Sequence, residues 1–323
     1  QQQHTTTTNS TTINPNGCRF LSPYELQIQT HDAVVPQLIR AKSFVIATGA
    51  SPIIPPHLKD GAKQASVPLY TYRNLLQPEG GAAADDEEDQ SIWNILQTKT
   101  TQPQRPPSIL IAGGGATACE LGQSLARLGR KRGLRVVLTA PNLLPTQDAT
   151  IQNAAYQMLT QDGIDIRLTT RLKNIRKRAN GDSDSNSNST GGTGIAVLDD
   201  GSEIPVDAVV LCLGRSPGSS LSSLNLDAAR VKWSPEGGVH VNDRTLRSVS
   251  NRRVFACGDC SSAVLSLTQQ QQQQQQLGHH REEDRRAAAH GAWTGFHVVR
   301  NIAVPWILRA FSPSIHPAVP RVI

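Results

Sequence analysis

Aromatic residues are scarce in this chain: five Phe, four Trp and four Tyr make up 4% of its 323 residues. That scarcity argues against a nucleic-acid surface, which needs a basic stripe interleaved with aromatic side chains on which bases stack. The chain is basic, with a net charge of +6 and a pI near 9.2. Its Lys and Arg residues are nevertheless scattered, apart from Arg130-Lys131-Arg132 and Arg176-Lys177-Arg178, so the charge reads as solvated faces with some attraction for nucleotide phosphates. Long apolar runs are lacking too. Ile302 to Leu308 is short and broken by Pro305, so no segment is expected to cross a bilayer and the chain reads as soluble. Cys18, Cys119, Cys212, Cys257 and Cys260 have neither disulfide-framework nor zinc spacing, which points to a reducing compartment and to no metal centre. The polar start, Gln1 to Thr8, does not read as a signal peptide.

What is present centres on Ile109-Leu-Ile-Ala-Gly-Gly-Gly-Ala-Thr-Ala-Cys-Glu-Leu-Gly122, an apolar run that stops at three glycines and restarts as an amphipathic helix. Ser108 to Ala112 follows the breaker Pro106-Pro107 and has the composition of a buried parallel strand. Gly113 opens a tight turn, Gly115 lets backbone approach a pyrophosphate, and Ala118 takes the small third place of a GxGxxA pattern, where the helix packs on its strand. The helix amino end, from Gly114 through Ala116 and Thr117, supplies amides for an anion. Leu121, Leu125 and Leu128 fall at helical spacing, Gly129 and Gly133 end the helix, and Leu134 to Leu138 supplies a second strand. The context is therefore a βαβ start, which makes an otherwise weak motif informative.

Two more strand ends share the same character. Ser43 to Ala47 is continuous and apolar and ends at Thr48-Gly49, while Asp207 to Leu213 ends at Gly214-Arg215. A third, Arg253 to Cys257, ends at Gly258-Asp259. Such abrupt transitions place hydroxyl groups and bare backbone at the carboxyl ends of strands, where α/β sheets bind ligands. An aspartate there accepts hydrogen bonds from sugar-type hydroxyls. Cys212 reads as a small core residue. Cys257-Gly-Asp-Cys260 has CxxC spacing, but Cys257 closes a strand and a polar loop follows, so a thioredoxin-like pair is rejected.

Around these lie strands at Cys18 to Ile28 with a turn at Ser22-Pro23, a helix capped by Asp148 running through Ile151, Ala155, Met158 and Leu159, and a strand from Ile164 to Leu168. A hairpin joins Lys173–Lys177 to Gly194–Leu198, and Asp200-Gly201 marks another turn. A final helix spans Ala287 to Val304, with Trp293, Phe296, Val299 and Arg300 at helical spacing and His290 and His297 read as packing or surface residues. Residues 1–16 are read as disordered, 79–105 and 180–194 as polar inserts, and 268–284 as a low-complexity insert.

Ala47-Thr-Gly49, the glycine turn with Glu120, Leu213-Gly-Arg215 and Phe255-Ala-Cys-Gly-Asp259 occur in the order and approximate spacing of the pyridine nucleotide-disulfide oxidoreductases. The chain resembles the mercuric-reductase-like and dihydrolipoamide-dehydrogenase-like members. Phe20-Leu-Ser-Pro, Val299-Arg-Asn301 and Val319-Pro-Arg-Val322 are similar to stretches of that branch. The resemblance implies an α/β fold of Rossmann-like FAD- and NAD(P)-binding domains, a parallel sheet with helices plus an antiparallel β-meander. An NAD(P) domain at 57–215 would be inserted in a partial FAD domain at 17–56 and 216–311, with 312–323 starting a truncated dimerisation domain. It implies that Thr48, Gly49, Gly258 and Asp259 lie beside FAD. Gly113, Gly114, Gly115, Ala116, Thr117, Ala118 and Glu120 would line the NAD(P)H site, with Gly214 and Arg215 near the nicotinamide. The helix beginning near Ala287 would point its amino end at the flavin.

The departures from that pattern are equally specific. No FAD-type GxGxxG precedes Ala47, no Cys-x4-Cys pair occurs, and the chain stops at Ile323, where the dimerisation domain with its His-Glu pair would begin. The resemblance therefore implies an internal piece or a truncated gene model with no catalytic residue of its own. The second strand leads into Thr139-Ala-Pro141 rather than an acid, which leans towards NADPH. Three functions compete: a flavoprotein moving hydride from NAD(P)H to FAD and on to a disulfide, metal ion or other acceptor, as a homodimer at full length; an NAD(P)H:acceptor or quinone-type reductase without redox cysteines; and a non-catalytic nucleotide-binding remnant.

Overall fold

The computed structural model describes residues 17–29, 35–75, 92, 106–178, 194–263 and 288–303. Residues 1–16, the low-complexity stretch at 268–284, and the inserts apart from Ile92 and Gly194 lie outside them, as does everything after residue 303. The chain divides into two compact units, one of residues 1–51 and 216–323 and one of residues 52–215.

The discontinuous unit begins with an antiparallel meander of β1 (Gly17–Ser22), β2 (Glu25–Gln29) and β3 (Gln37–Arg40). β4 (Phe44–Ile46) follows. Its alternation differs from the buried run expected: Phe44 and Ile46 are buried, but Val45 on the opposite face is exposed. A continuous apolar run predicts cover on both sides, and among the described residues only one side of this strand has it.

The continuous unit is layered. α1 (Pro56–Ala65) leads to β5 (Leu69–Thr71), and β6 (Ser108–Ala112) follows. Then come α2 (Ala116–Gly129), β7 (Arg135–Ala140), α3 (Ala149–Gln161) and β8 (Asp165–Leu168). β9 (Leu172–Lys177), β10 (Gly194–Leu198) and β11 (Glu203–Val206) form a second meander, and β12 (Ala208–Leu211) returns to the main sheet. That sheet is five-stranded in the order β5-β12-β6-β7-β8, every pair parallel.

Strand alternation sorts the side chains into two cores. Ile109, Ile111, Val136, Leu138, Ala208 and Val210 face α2 and α3. Leu110, Ala112, Val137, Val209 and Leu211 face α1 and the meander. Ile109, Leu110 and Ile111 have no exposed surface at all, and each contributes about 1.5–3 kcal/mol by leaving water.

Helix faces depart from the leucine spacing. α2 buries Ala118, Gly122, Leu125, Ala126 and Gly129, whereas Leu128 is exposed. Small residues let the helix approach its strand closely: a Cβ at Gly122 would stand 3.2 Å from Ile111 Cδ1. In α3 the Asp148 carboxylate caps the helix by accepting from the Thr150 and Ile151 amides, but only Leu159 is buried, with Ile151 and Met158 exposed.

The discontinuous unit resumes with α4 (Gly218–Ser222), β13 (Val254–Ala256) and α5 (Ala288–Ala303). β13 pairs in parallel with β4, Ile46 opposite Ala256. Phe20 packs edge-on against Phe44 with ring centroids 5.1 Å apart, and its amide donates to the Leu224 carbonyl. On α5 the buried face is Thr294, His297, Val298 and Asn301, while Phe296 and Val299 are exposed.

Candidate functional site

In the sheet of the continuous unit, the connection from β6 runs to one side, towards β7, and β12 lies on the other. Ligands of open α/β sheets bind at such a reversal of strand order. Gly113 to Gly115 sit there. Gly113 has a φ of +129°, its amide donates to the Thr139 carbonyl at 2.9 Å, and a Cβ on it would run into the Cys212 carbonyl on the neighbouring strand end. Gly114 accepts from the Leu144 amide at 2.6 Å, and a Cβ on it would run into the Asn142 carbonyl. These two glycines are required by the protein's own backbone.

Gly115 differs. It caps α2 with φ −75° and ψ 176°, no side chain caps the helix, and no acid lies in its first turn. Nothing lies within 4 Å of where its Cβ would be. Ala116 and Thr117 are exposed beside it, and Ala118 is fully buried against the core. The result is an open helix amino end whose amides and dipole favour an anion. Such a cradle, which a side chain would fill, suits a dinucleotide pyrophosphate.

Glu120 lies exposed on α2, its carbonyl accepting from the Ser124 hydroxyl. Gly214, with φ +95°, and half-buried Arg215 follow β12 at the same sheet edge. Two thiols flank the turn. Burial and the neighbouring Glu120 charge raise the Cys119 thiol, while burial and Cys119 push Cys212 up to about 12. Both therefore stay protonated near neutral pH and serve as packing.

The discontinuous unit has its own strand-end site. β4 and β13 run in parallel register, so Thr48-Gly49 and Gly258-Asp259 emerge at one edge. Gly49 has φ +66° with nothing near its Cβ position, and Gly258 has φ +69°. The Gly258 amide donates to the Thr294 hydroxyl at 2.9 Å, and a Cβ at Gly258 would lie 3.6 Å from Gly291 Cα. The first turns of α5 thus meet the Gly258-Asp259 turn. The Ser220 hydroxyl donates to the Gly49 carbonyl at 3.2 Å.

Cys260 was not singled out by its spacing for the part it plays. Its thiol donates to the Ile46 carbonyl at 3.4 Å. Burial raises its pKa, and hydrogen bonds from Gly49 and Thr48 recover part of that shift. Cys257 and Cys260 are buried and free, with Cys257 preceding a three-residue turn rather than a helix, which removes the usual means of activating a CxxC thiol. Among the described residues no group of three or more His, Cys, Asp or Glu could hold a metal ion, and no helix is long and apolar enough to cross a membrane.

Comparison with known proteins places the chain in a family. The chain is 26% identical over 241 residues to a dihydrolipoyl dehydrogenase of Thermus scotoductus, a match covering 75% of this chain and 42% of that protein. It is 30% identical over 225 residues to a mercuric reductase of Staphylococcus aureus, covering 69% and 33% respectively. It therefore spans less than half the length of these relatives. The water-forming NADH oxidase of Lactobacillus brevis, solved with NADH bound, superposes with a TM-score of 0.60 at 18% identity, covering 90% of this chain and 53% of that one. It has the same α/β fold. The model of the pyridine nucleotide-disulphide oxidoreductases matches residues 5–276, a stretch that contains every strand end described above, and the chain belongs to that family.

Proposed function

We propose that the chain is the nucleotide-binding body of a flavin-dependent oxidoreductase, in which hydride passes from NAD(P)H to FAD and electrons continue to a disulfide, a metal ion or another acceptor. The observation that carries this reading is the open amino end of α2 behind Gly113-Gly114-Gly115 at the reversal of strand order. In it, residues 57–215 hold the nicotinamide nucleotide. The amides from Gly115 to Thr117 receive the pyrophosphate, Ala118 admits the close helix, Glu120 lines the nucleotide site, and Gly214 and Arg215 border the nicotinamide side.

Residues 17–56 and 216–311 hold FAD, with 312–323 leading into a dimerisation domain of a homodimer. Thr48 and Gly49 border the flavin. Gly258 brings the backbone close, and Asp259 accepts from a ribityl or ribose hydroxyl. The amino end of α5 favours negative charge on the reduced ring. FAD, when bound, supplies the two-electron chemistry, and the protein residues bind, orient and exclude water. The neutral end of β7 admits NADPH.

Anaerobic addition of NADPH to the flavin-loaded full-length protein tests the proposal. Bleaching of the yellow flavin band, lost in Gly115→Val while flavin is retained, is the expected result. A flavin-loaded protein that stays yellow with both NADPH and NADH would refute it.

A further inference from the structure

The adenosine ribose of a dinucleotide laid across the glycine turn falls at the carboxyl end of β7, the strand beside β6. Discrimination between the two nicotinamide nucleotides is made there. An acid at this strand end accepts from the ribose 2′-hydroxyl, and an arginine nearby accommodates the 2′-phosphate.

Here β7 closes at buried Ala140, and the chain continues through Pro141, Asn142, Leu143, Leu144, Pro145, Thr146 and Gln147. None of these residues carries a charge. The charged groups that bracket the segment are engaged elsewhere. The Asp148 carboxylate accepts from the Thr150 and Ile151 amides at 2.8 and 3.0 Å. Arg167, whose backbone lies opposite Thr139 in register, donates to Asp165 at 2.8 Å.

The segment is also held in place. The Leu144 amide donates to the Gly114 carbonyl at 2.6 Å and the Thr169 amide to the Pro141 carbonyl at 3.1 Å. The Asn142 carbonyl packs where a Gly114 Cβ would be. Leu143 is buried, and Leu144 is held at φ 43°. These anchors are backbone contacts to the glycine turn and to the residues after β8. They fix the neutral segment beside the ribose position and survive changes of side chain.

Given the nucleotide site proposed for this unit, we infer that it reads the dinucleotide without charge discrimination at the ribose 2′ position and takes NADH and NADPH with comparable affinity. Pro141 is the position at which one added charge sets the choice. The unmodified nucleotide loses nothing for want of an acid beyond one hydrogen bond to a hydroxyl. Within residues 141–147 the 2′-phosphate meets neither a repelling nor an attracting charge.

Calorimetric titration of the full chain with NADH and with NADPH, without added flavin or acceptor, tests this directly. Dissociation constants within about threefold of each other, the scale of one exposed charge interaction, are expected. Pro141→Arg should tighten NADPH by about tenfold through a charge-assisted phosphate contact and leave NADH unchanged. Asn142→Asp should weaken NADPH alone. A preference of more than about tenfold for either nucleotide in the unaltered protein overturns the inference and leaves the nucleotide site standing. Binding of neither nucleotide overturns the site as well. Unfolding curves of the variants matching the parent show that a changed ratio comes from the site and not from the fold.

Discussion

The two strand-end turns solve the same geometric problem differently. At Gly113-Gly114 the turn is dictated by the protein's own backbone, since a side chain at either position would strike a carbonyl, of Cys212 or of Asn142. At Gly49 nothing stands nearby, and only the positive φ favours glycine. The second turn is instead held by side chains: the Ser220 hydroxyl on the Gly49 carbonyl, the Cys260 thiol on the Ile46 carbonyl and the Thr294 hydroxyl at the Gly258 amide. One site is built into the folding core, and the other is assembled by polar ties between distant parts of the chain. A glycine in a binding motif therefore answers either to the fold or to the ligand, and the two can be separated by substitution.

The largest expected effect is that of Gly113→Ala or Gly114→Ala. Each forces a backbone shift at the end of the buried strands β6 and β12 and should destabilise by about 3 kcal/mol, read as a lower midpoint in urea unfolding. An effect comparable to that of Gly49→Ala would break the comparison. Next comes Thr294→Val, which leaves the buried Gly258 amide without its acceptor and should cost about 1–3 kcal/mol. Thr294→Ser should recover most of this in the same assay. Gly49→Ala should cost only about 1 kcal/mol, the strain of a left-handed alanine without a clash.

Acid provides a further contrast. Burial of Asp165 pushes its carboxyl up, but hydrogen bonds and charge from Arg167 and Arg135 outweigh it and hold the group below the usual range. Its contribution is present above the unfolded carboxylate pKa near ~3.9 and is lost as pH falls through the lower folded value. Asp165→Asn should therefore flatten the acid limb of the stability profile below about pH 4 while leaving its shape above about pH 5 unchanged. The smallest effect concerns Cys212. With its pKa near 12, about one thiol in ten thousand is ionised at pH 8, so alkylation by iodoacetamide should lag far behind that of an exposed thiol. Rapid labelling in the folded protein, seen by peptide mass mapping, would show the flank of the glycine turn to be open.

The strand-turn-helix unit was legible because its constraints are local. Ser108 to Ala112 forms the strand in full, and the glycines follow without a break. Asp148 was legible for the same reason, its carboxylate reaching amides two and three residues ahead. The exposed Leu128 and Met158 were misplaced because helical spacing identifies a stripe, while tight packing on a strand selects the smallest residues, Ala118, Gly122 and Ala126. The ties around Thr48-Gly49 left no local signal. The Cys260 thiol meets a carbonyl 214 residues away, and Thr294 meets an amide 36 residues away. The uncharged segment after Ala140 was visible in sequence, but its anchoring to Gly114 comes through Leu144 at a positive φ, which no residue type there announces.

The parallel pairing of β4 with β13 has a consequence for synthesis of the chain. Among the described residues, Phe44, Val45 and Ile46 pair with Val254, Phe255 and Ala256. At a translation rate of about 5–20 residues per second, β4 waits some 10 to 40 s for that pairing. Residues 52–215 form a contiguous unit and can fold during that interval, so the pairing of β4 with β13 is among the last to form. Until then the edge of β4 that β13 covers is open, and open strand edges are what chaperones bind and aggregates recruit.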